Sequence, residues 1–124
     1  MQWYVASILI SYRVKEGKQD TIPVYENFTL FYADNDEEVL QKAIKYGEWC
    51  ASIDDKTELD GKAAYSKYEG IRKITEIFDD NFDLKTTMDA VELSYSYMEL
   101  ENEKDVINLA AGHRVKLLYI DDEA

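Results

Sequence analysis

Residues 3–14, WYVASILISYRV, alternate with a period of two. Tyr4, Ala6, Ile8, Ile10, Tyr12 and Val14 share one side, and Trp3, Val5, Ser7, Leu9, Ser11 and Arg13 the other. The even side is the more uniformly apolar and is expected to meet the core. Glu16-Gly17-Lys18 supplies a turn, and residues 22–33, IPVYENFTLFYA, return as a second, antiparallel strand with Pro23 near its start. The period then changes to 3.6. Val39, Leu40, Ala43, Ile44 and Gly47 form one stripe, so a helix is expected from the Asp34–Glu38 run to about Cys50 or Ile53. Asp34 as N-cap and Glu37 three residues on give a capping box, with an acidic first turn that suits the helix dipole.

Residues 54–63 read as a polar loop, and a third strand is expected from Ala64 to Phe78, with Gly70 permitting a bulge. A second polar loop spans 79–86. Val91, Leu93, Tyr95 and Tyr97 alternate with Glu92, Ser94 and Ser96 in a fourth strand. A short helix from Glu101 or Asn102 turns Val106, Leu109 and Ala110 inward and stops at Gly112. Arg114–Ile120 is expected as the last strand, before an acidic tail. The order β-β-α-β-β-α-β predicts an α+β fold: a mostly antiparallel sheet of about five strands with two helices on one face. Residues 1–124 are expected to form one domain, since 124 residues suit a single core.

Charge changes the picture more than composition does. Residues 1–33 hold three basic and three acidic side chains; residues 34–124 hold eleven and twenty-three, so the whole net charge of −12 follows residue 33. A field of that sign repels nucleic acid and anionic membranes and attracts cationic partners. The only basic doublet is Arg72-Lys73, and no basic stripe runs along the chain. The start, Met1-Gln2-Trp3-Tyr4, lacks the pattern of a signal peptide. The lone Cys50 fits a reducing compartment, so a cytoplasmic location is expected.

Four segments together resemble a small bacterial, often cyanobacterial, family of domains of unknown function. They are Trp3-Tyr4-x-Ala6-x-Ile8, Asp36-Glu37-Glu38, Gly70-Ile71-Arg72-Lys73-Ile74 and Glu92-Leu93-Ser94-Tyr95-Ser96-x-Met98-Glu99. The resemblance runs from Trp3 to the last strand. It implies a compact bacterial intracellular domain and carries over no catalytic residue.

Candidate chemistry is sparse. The single histidine, His113, follows a helix stop and reads as a loop residue that suits the helix dipole when protonated. Cys50 reads as a small packing residue. Zinc sites built on His and Cys are excluded by these counts, and no phosphate-cradling glycine run exists. Asp79, Asn81 and Asp83 imitate positions 1, 3 and 5 of a calcium loop, but Leu84 and Ala90 stand where glycine and a bidentate glutamate belong. No cofactor or metal is expected. The pairs Asp54-Asp55 and Asp79-Asp80 lie in polar loops, where solvated charge is the ordinary role. Ten tyrosines remain, of which Tyr65, Tyr68, Tyr95 and Tyr97 neighbour acids such as Glu69, Glu92 and Glu99. Aromatics ringed by carboxylates serve as sheet packing or as a grip for a basic protein.

The expectation is therefore a non-enzymatic acidic binding protein for a basic protein partner, with no direct contact to nucleic acid or membrane. Its sharpest form is an inhibitor or immunity-type protein against a nucleic-acid-processing protein. The partner-binding residues expected are Asp54, Asp55, Glu58, Asp60, Asp79, Asp80 and Asp83. The alternative is a self-associating homodimer that pairs edge to edge through its N-terminal hairpin, its acidity serving solubility.

Overall fold

A computed structural model describes residues 1–52, 57–78 and 89–120. Its elements are β1 (Gln2–Val14), β2 (Ile22–Ala33), α1 (Asp36–Ser52), β3 (Glu58–Leu59), β4 (Lys62–Glu76), β5 (Val91–Leu100), α2 (Glu103–Ala110) and β6 (Leu118–Ile120). The strands form one antiparallel sheet in the order β3-β4-β1-β2-β5-β6. The fold is α+β, as the alternation of periods implies. It differs from the expected element order only by the two-residue β3. Asp60-Gly61 joins β3 to β4 with both residues at positive φ (52° and 79°), the geometry of a two-residue hairpin turn. The last strand is shorter than expected, covering 118–120 and not the whole of 114–120.

The helices lie on opposite faces, not on one. Tyr4, Ala6, Ile8 and Ile10 of β1 pack with Phe31 and Ala33 of β2 under Val39 and Ala43 of α1. Leu9, on the other side of β1, packs with Ile22, Val24, Met98 and Leu100 over Val106 and Leu109 of α2. Both faces of β1 carry apolar side chains, and an antiparallel strand with two apolar faces attracts cover on each.

Both helix starts are capped by asparagine. Asn35 accepts from the Glu38 N–H at 2.9 Å, and the Glu38 carboxylate accepts from the Asp34 N–H at 2.9 Å. The reciprocal pair thus sits one residue later than the Asp34–Glu37 reading. The Asn102 side chain accepts from the Asp105 N–H. At the end of α2, Gly112 (φ 80°) and His113 donate their N–H groups to the carbonyls of Leu109 and Asn108, a Schellman stop.

The α2 face of the sheet buries charge as well as hydrocarbon. Pairing of β4 with β1 shifts register between Ser7 and Ile8 and again between Leu9 and Ile10, so Arg72 and Glu69 are extra residues with no partner in β1. The Glu69 carboxylate accepts from the Ser11 hydroxyl and from Arg13, which also pairs with Glu103 of α2. Glu26 of β2 accepts from the Ser7 hydroxyl and from Arg72 Nε. Both Glu26 and Glu69 side chains are only 7% exposed. A carboxylate so enclosed is tolerated because each has a hydroxyl and a guanidinium to satisfy it.

The hairpin expected to form a dimer edge occupies the centre of the sheet. β1 is paired with both β2 and β4, and β2 with both β1 and β5. The hairpin is thus not an edge of the sheet; of its large aromatic residues Trp3, Tyr25, Phe28 and Phe31, the first and last are buried and the other two half-buried.

Two substitutions test this packing. A Cβ on Gly47 would lie 2.6 Å from the Tyr68 ring and 3.0 Å from the Ile8 side chain. Gly47→Ala is expected to destabilise by about 1–2 kcal/mol despite alanine's better helix propensity, read as a lower denaturant midpoint; a higher midpoint would show that Tyr68 yields freely. Arg72→Met, which strands the Glu26 carboxylate, is expected to cost about 1–3 kcal/mol. The Glu26→Met/Arg72→Met double variant should be no less stable than Arg72→Met alone. Losses that simply add would show that the two side chains are uncoupled.

Candidate functional site

The helix α1 lies across β4, β1 and β2 and stops short of the Tyr95 side chain on β5, which is half exposed. Register places Tyr25 of β2 opposite Ile10 on one side and Tyr97 on the other, and Asn27 opposite Tyr95. These side chains consequently share the α1 face. The Tyr25 ring lies 5.4 Å from Tyr12, 5.6 Å from Tyr95 and 4.8 Å from Tyr97, in edge-on and tilted arrangements that aromatic quadrupoles favour. A second aromatic run, Phe31–Tyr46–Trp49, climbs onto α1 with centroid spacings of 5.9 and 6.0 Å. It lines an open groove of about 380 Å³ together with Ala90, Asp89, Lys42 and Lys45. Lys42 is engaged there, donating to Asp89 Oδ2 at 3.0 Å and to the Tyr32 carbonyl.

Carboxylates set the potential on this side of the molecule. Burial raises the Tyr97 phenol above its ordinary range, and Glu99 and Asp60 raise it further. Tyr46 is raised by burial, then by its neighbour Cys50 and by Glu92. Tyr68 is raised by burial and Glu48, and Tyr4 by burial with Glu76, Asp36 and Asp34. All four phenols lie on the α1 side of the sheet. Each feels at least one carboxylate, which opposes a phenolate and favours a cation.

Of the seven acids expected to bind a partner, Glu58 and Asp60 lie among the described residues. Glu58 is exposed on β3 opposite Ala63, and Asp60 is exposed in the β3–β4 turn, where it acts on Tyr97. Asp54, Asp55, Asp79, Asp80 and Asp83, with the calcium-like spacing that begins at Asp79, lie outside the described residues. The structure adds Glu48, Glu92 and Glu99 to the tyrosine face. Glu99 shares the parity of Tyr95 and Tyr97 in β5; Glu92 has the opposite parity and is brought to their face by the bulge at Leu93. Glu48 was not visible, because nothing in the helix pattern relates it to Tyr68. Among the described residues, no three His, Cys, Asp or Glu side chains gather as a metal site, and no helix is long and apolar enough to cross a membrane.

Tyr65, singled out beside Glu69, points to the opposite side: it pairs with Arg13 in register and belongs to the α2 face. His113 is exposed beyond the Schellman stop. Cys50 is half-buried one turn from Tyr46. Burial raises its thiol, Glu92 adds to the rise, and the hydrogen bond with Tyr46 opposes it without reversing it.

A family model described as "Domain of unknown function (DUF4288)" matches residues 3–88, well over half of the chain. The chain belongs to this family. No curated protein and no solved structure matches it. The DUF4288 region takes in β1–β4 and α1, hence Tyr25, Tyr46, Tyr68 and Asp60. The Glu92–Glu99 segment follows it, so the tyrosine face is assembled from the family region and the strand beyond.

The raised groups define an alkaline limb of stability. A phenol or thiol that the fold holds protonated contributes stability at neutral pH, and this is lost as pH rises through its folded-state pKa. Titration of tyrosine absorbance is expected to show some of the ten tyrosines ionising above the ordinary phenol range, and only as the chain unfolds. Alkylation of Cys50 at neutral pH should be about tenfold slower in the folded chain than in urea. Equal rates would show an accessible, ordinary thiol.

Proposed function

We propose that the chain is an acidic binding protein that holds a basic protein partner against the tyrosine face of β2 and β5. The observation that carries this reading is the joint placement of Tyr25, Tyr95 and Tyr97 with Asp60, Glu92 and Glu99 on one side of the sheet. Rigid aromatic rings supply contact area at little cost in side-chain entropy, and they attract cations through their faces. Carboxylates around them steer a cationic partner and fix its register. In the finer form, the partner processes nucleic acid: its site is positive because it holds phosphate, and a carboxylate-lined surface competes for it. The acids Asp54, Asp55, Glu58, Asp79, Asp80 and Asp83 carry the same sign of charge and belong to this reading. We place the encounter in a reducing bacterial cytoplasm, which the lone Cys50 favours.

A synthetic oligolysine tests the reading. Its affinity is expected to fall by about tenfold or more between low and moderately high salt. Asp60→Asn/Glu92→Gln/Glu99→Gln should weaken it by a similar factor. The charge-matched control Asp36→Asn/Glu37→Gln/Glu76→Gln, at the start of α1 and the end of β4, should leave it within about twofold. Salt-insensitive binding, or equal loss in the control, contradicts the assignment.

A further inference from the structure

We propose that the open edge of β5, residues 91–96, takes an extended, lysine- or arginine-bearing segment of the partner as an additional strand. The proposal rests on the acidic-binding reading and names how the partner is held.

β6 pairs with Tyr97, Met98 and Glu99 alone, so from Ser96 back to Val91 the outer edge of β5 has no neighbouring strand among the described residues. Such an edge offers alternate N–H and C=O groups to any extended chain. Sheets usually protect their edges, and the two edges here are treated differently. β4 is bent by two bulges in its ladder with β1 and exposes Lys67 and Lys73, devices that discourage strand addition. β5 carries a single bulge, at Leu93, and exposes Leu93 and Tyr95, each by 51%. Leu118 and Tyr119 of β6 continue that apolar border. A side left apolar and unpaired in this way is a binding surface by composition.

Charge selects the occupant. Glu92, Tyr95, Tyr97 and Glu99 project on the same face. On an incoming strand, every second side chain projects on that face too. Lysine or arginine at those positions would lie beside Tyr95 and Glu92, while the intervening residues meet Ser94 and Ser96. A second copy of this chain brings the wrong sign, because each carries a net charge of −12.

Two peptides of one composition separate strand addition from plain charge attraction: acetyl-Lys-Val-Lys-Thr-Lys-Val-Lys-amide, and an isomer with its four lysines in one block. The alternating peptide is expected to bind about tenfold tighter. It should slow amide exchange at residues 91–96, and N-methylation of its alternate amides should remove the advantage. If both isomers bind equally and neither protects 91–96, strand addition is overturned and the carboxylate reading stands. If neither binds at low ionic strength, both fail. Protection, in the chain alone, of those 91–96 amides that point away from β2 also overturns the proposal: with dimerisation the occupant is a second copy, and without it the chain's own residues fill the edge.

Discussion

β1 is buried on both faces and hydrogen-bonded along both edges, and the rest of the molecule is arranged to permit this. Six consecutive residues, Ala6 to Ser11, are buried. Four are apolar and need only hydrocarbon above and below, which α1 and α2 supply. The other two, Ser7 and Ser11, bring hydroxyls into the interior, where an unpaired polar group costs about 1–3 kcal/mol. Each donates to a glutamate from a neighbouring strand, and each glutamate requires a cation in turn. The chain of requirements ends at Arg72 and Arg13, both long enough to keep part of the guanidinium near water. Because Arg13 also holds Glu103, the same polar stripe fastens α2 to the sheet.

That stripe changes what the net charge means. Glu26, Glu69, Glu103 and Asp89 are engaged by arginines and a lysine. Among the described residues, Glu58, Asp60 and Glu92 are exposed, and on the α1 side Asp60, Glu92 and Glu99 lie near tyrosines. An acidic composition by itself describes solubility; acids grouped with aromatic rings describe a surface with a preference.

The extents of the elements were legible where one period dominates the segment. β1, β2, β5 and both helices fall close to where period two and period 3.6 place them. β4 was harder, for a reason of parity. Each extra residue, Glu69 and then Arg72, reverses which side chains face α1. Tyr68 and Ile74 are even-numbered and Ile71 is odd, yet all three pack on the α1 cluster. A reader counting alternation loses the phase twice and recovers it by accident. The β3–β4 turn was legible in principle, since Asp60-Gly61 is a strong hairpin signal, but only two residues pair on the β3 side. The placement of α2 under the sheet was written in Leu9, whose apolar side chain marks the second face as one to be covered. As for the site, Tyr95, Tyr97 and Glu99 share one parity in β5, whereas Glu92 has the other and joins them only through the bulge at Leu93, and Tyr25 and Asp60 only through strand order and curl.

Gly112 has an influence out of proportion to its place on the surface. Its left-handed backbone ends α2 after eight residues and turns the chain back, so that Val115 rejoins the core and Leu118–Ile120 meets β5. A helix one turn longer would release the chain about 5 Å further along, and the closing strand would meet β5 at another register or miss it. The length of sheet border left unclaimed is thus metered by a helix terminator, remote from the border itself.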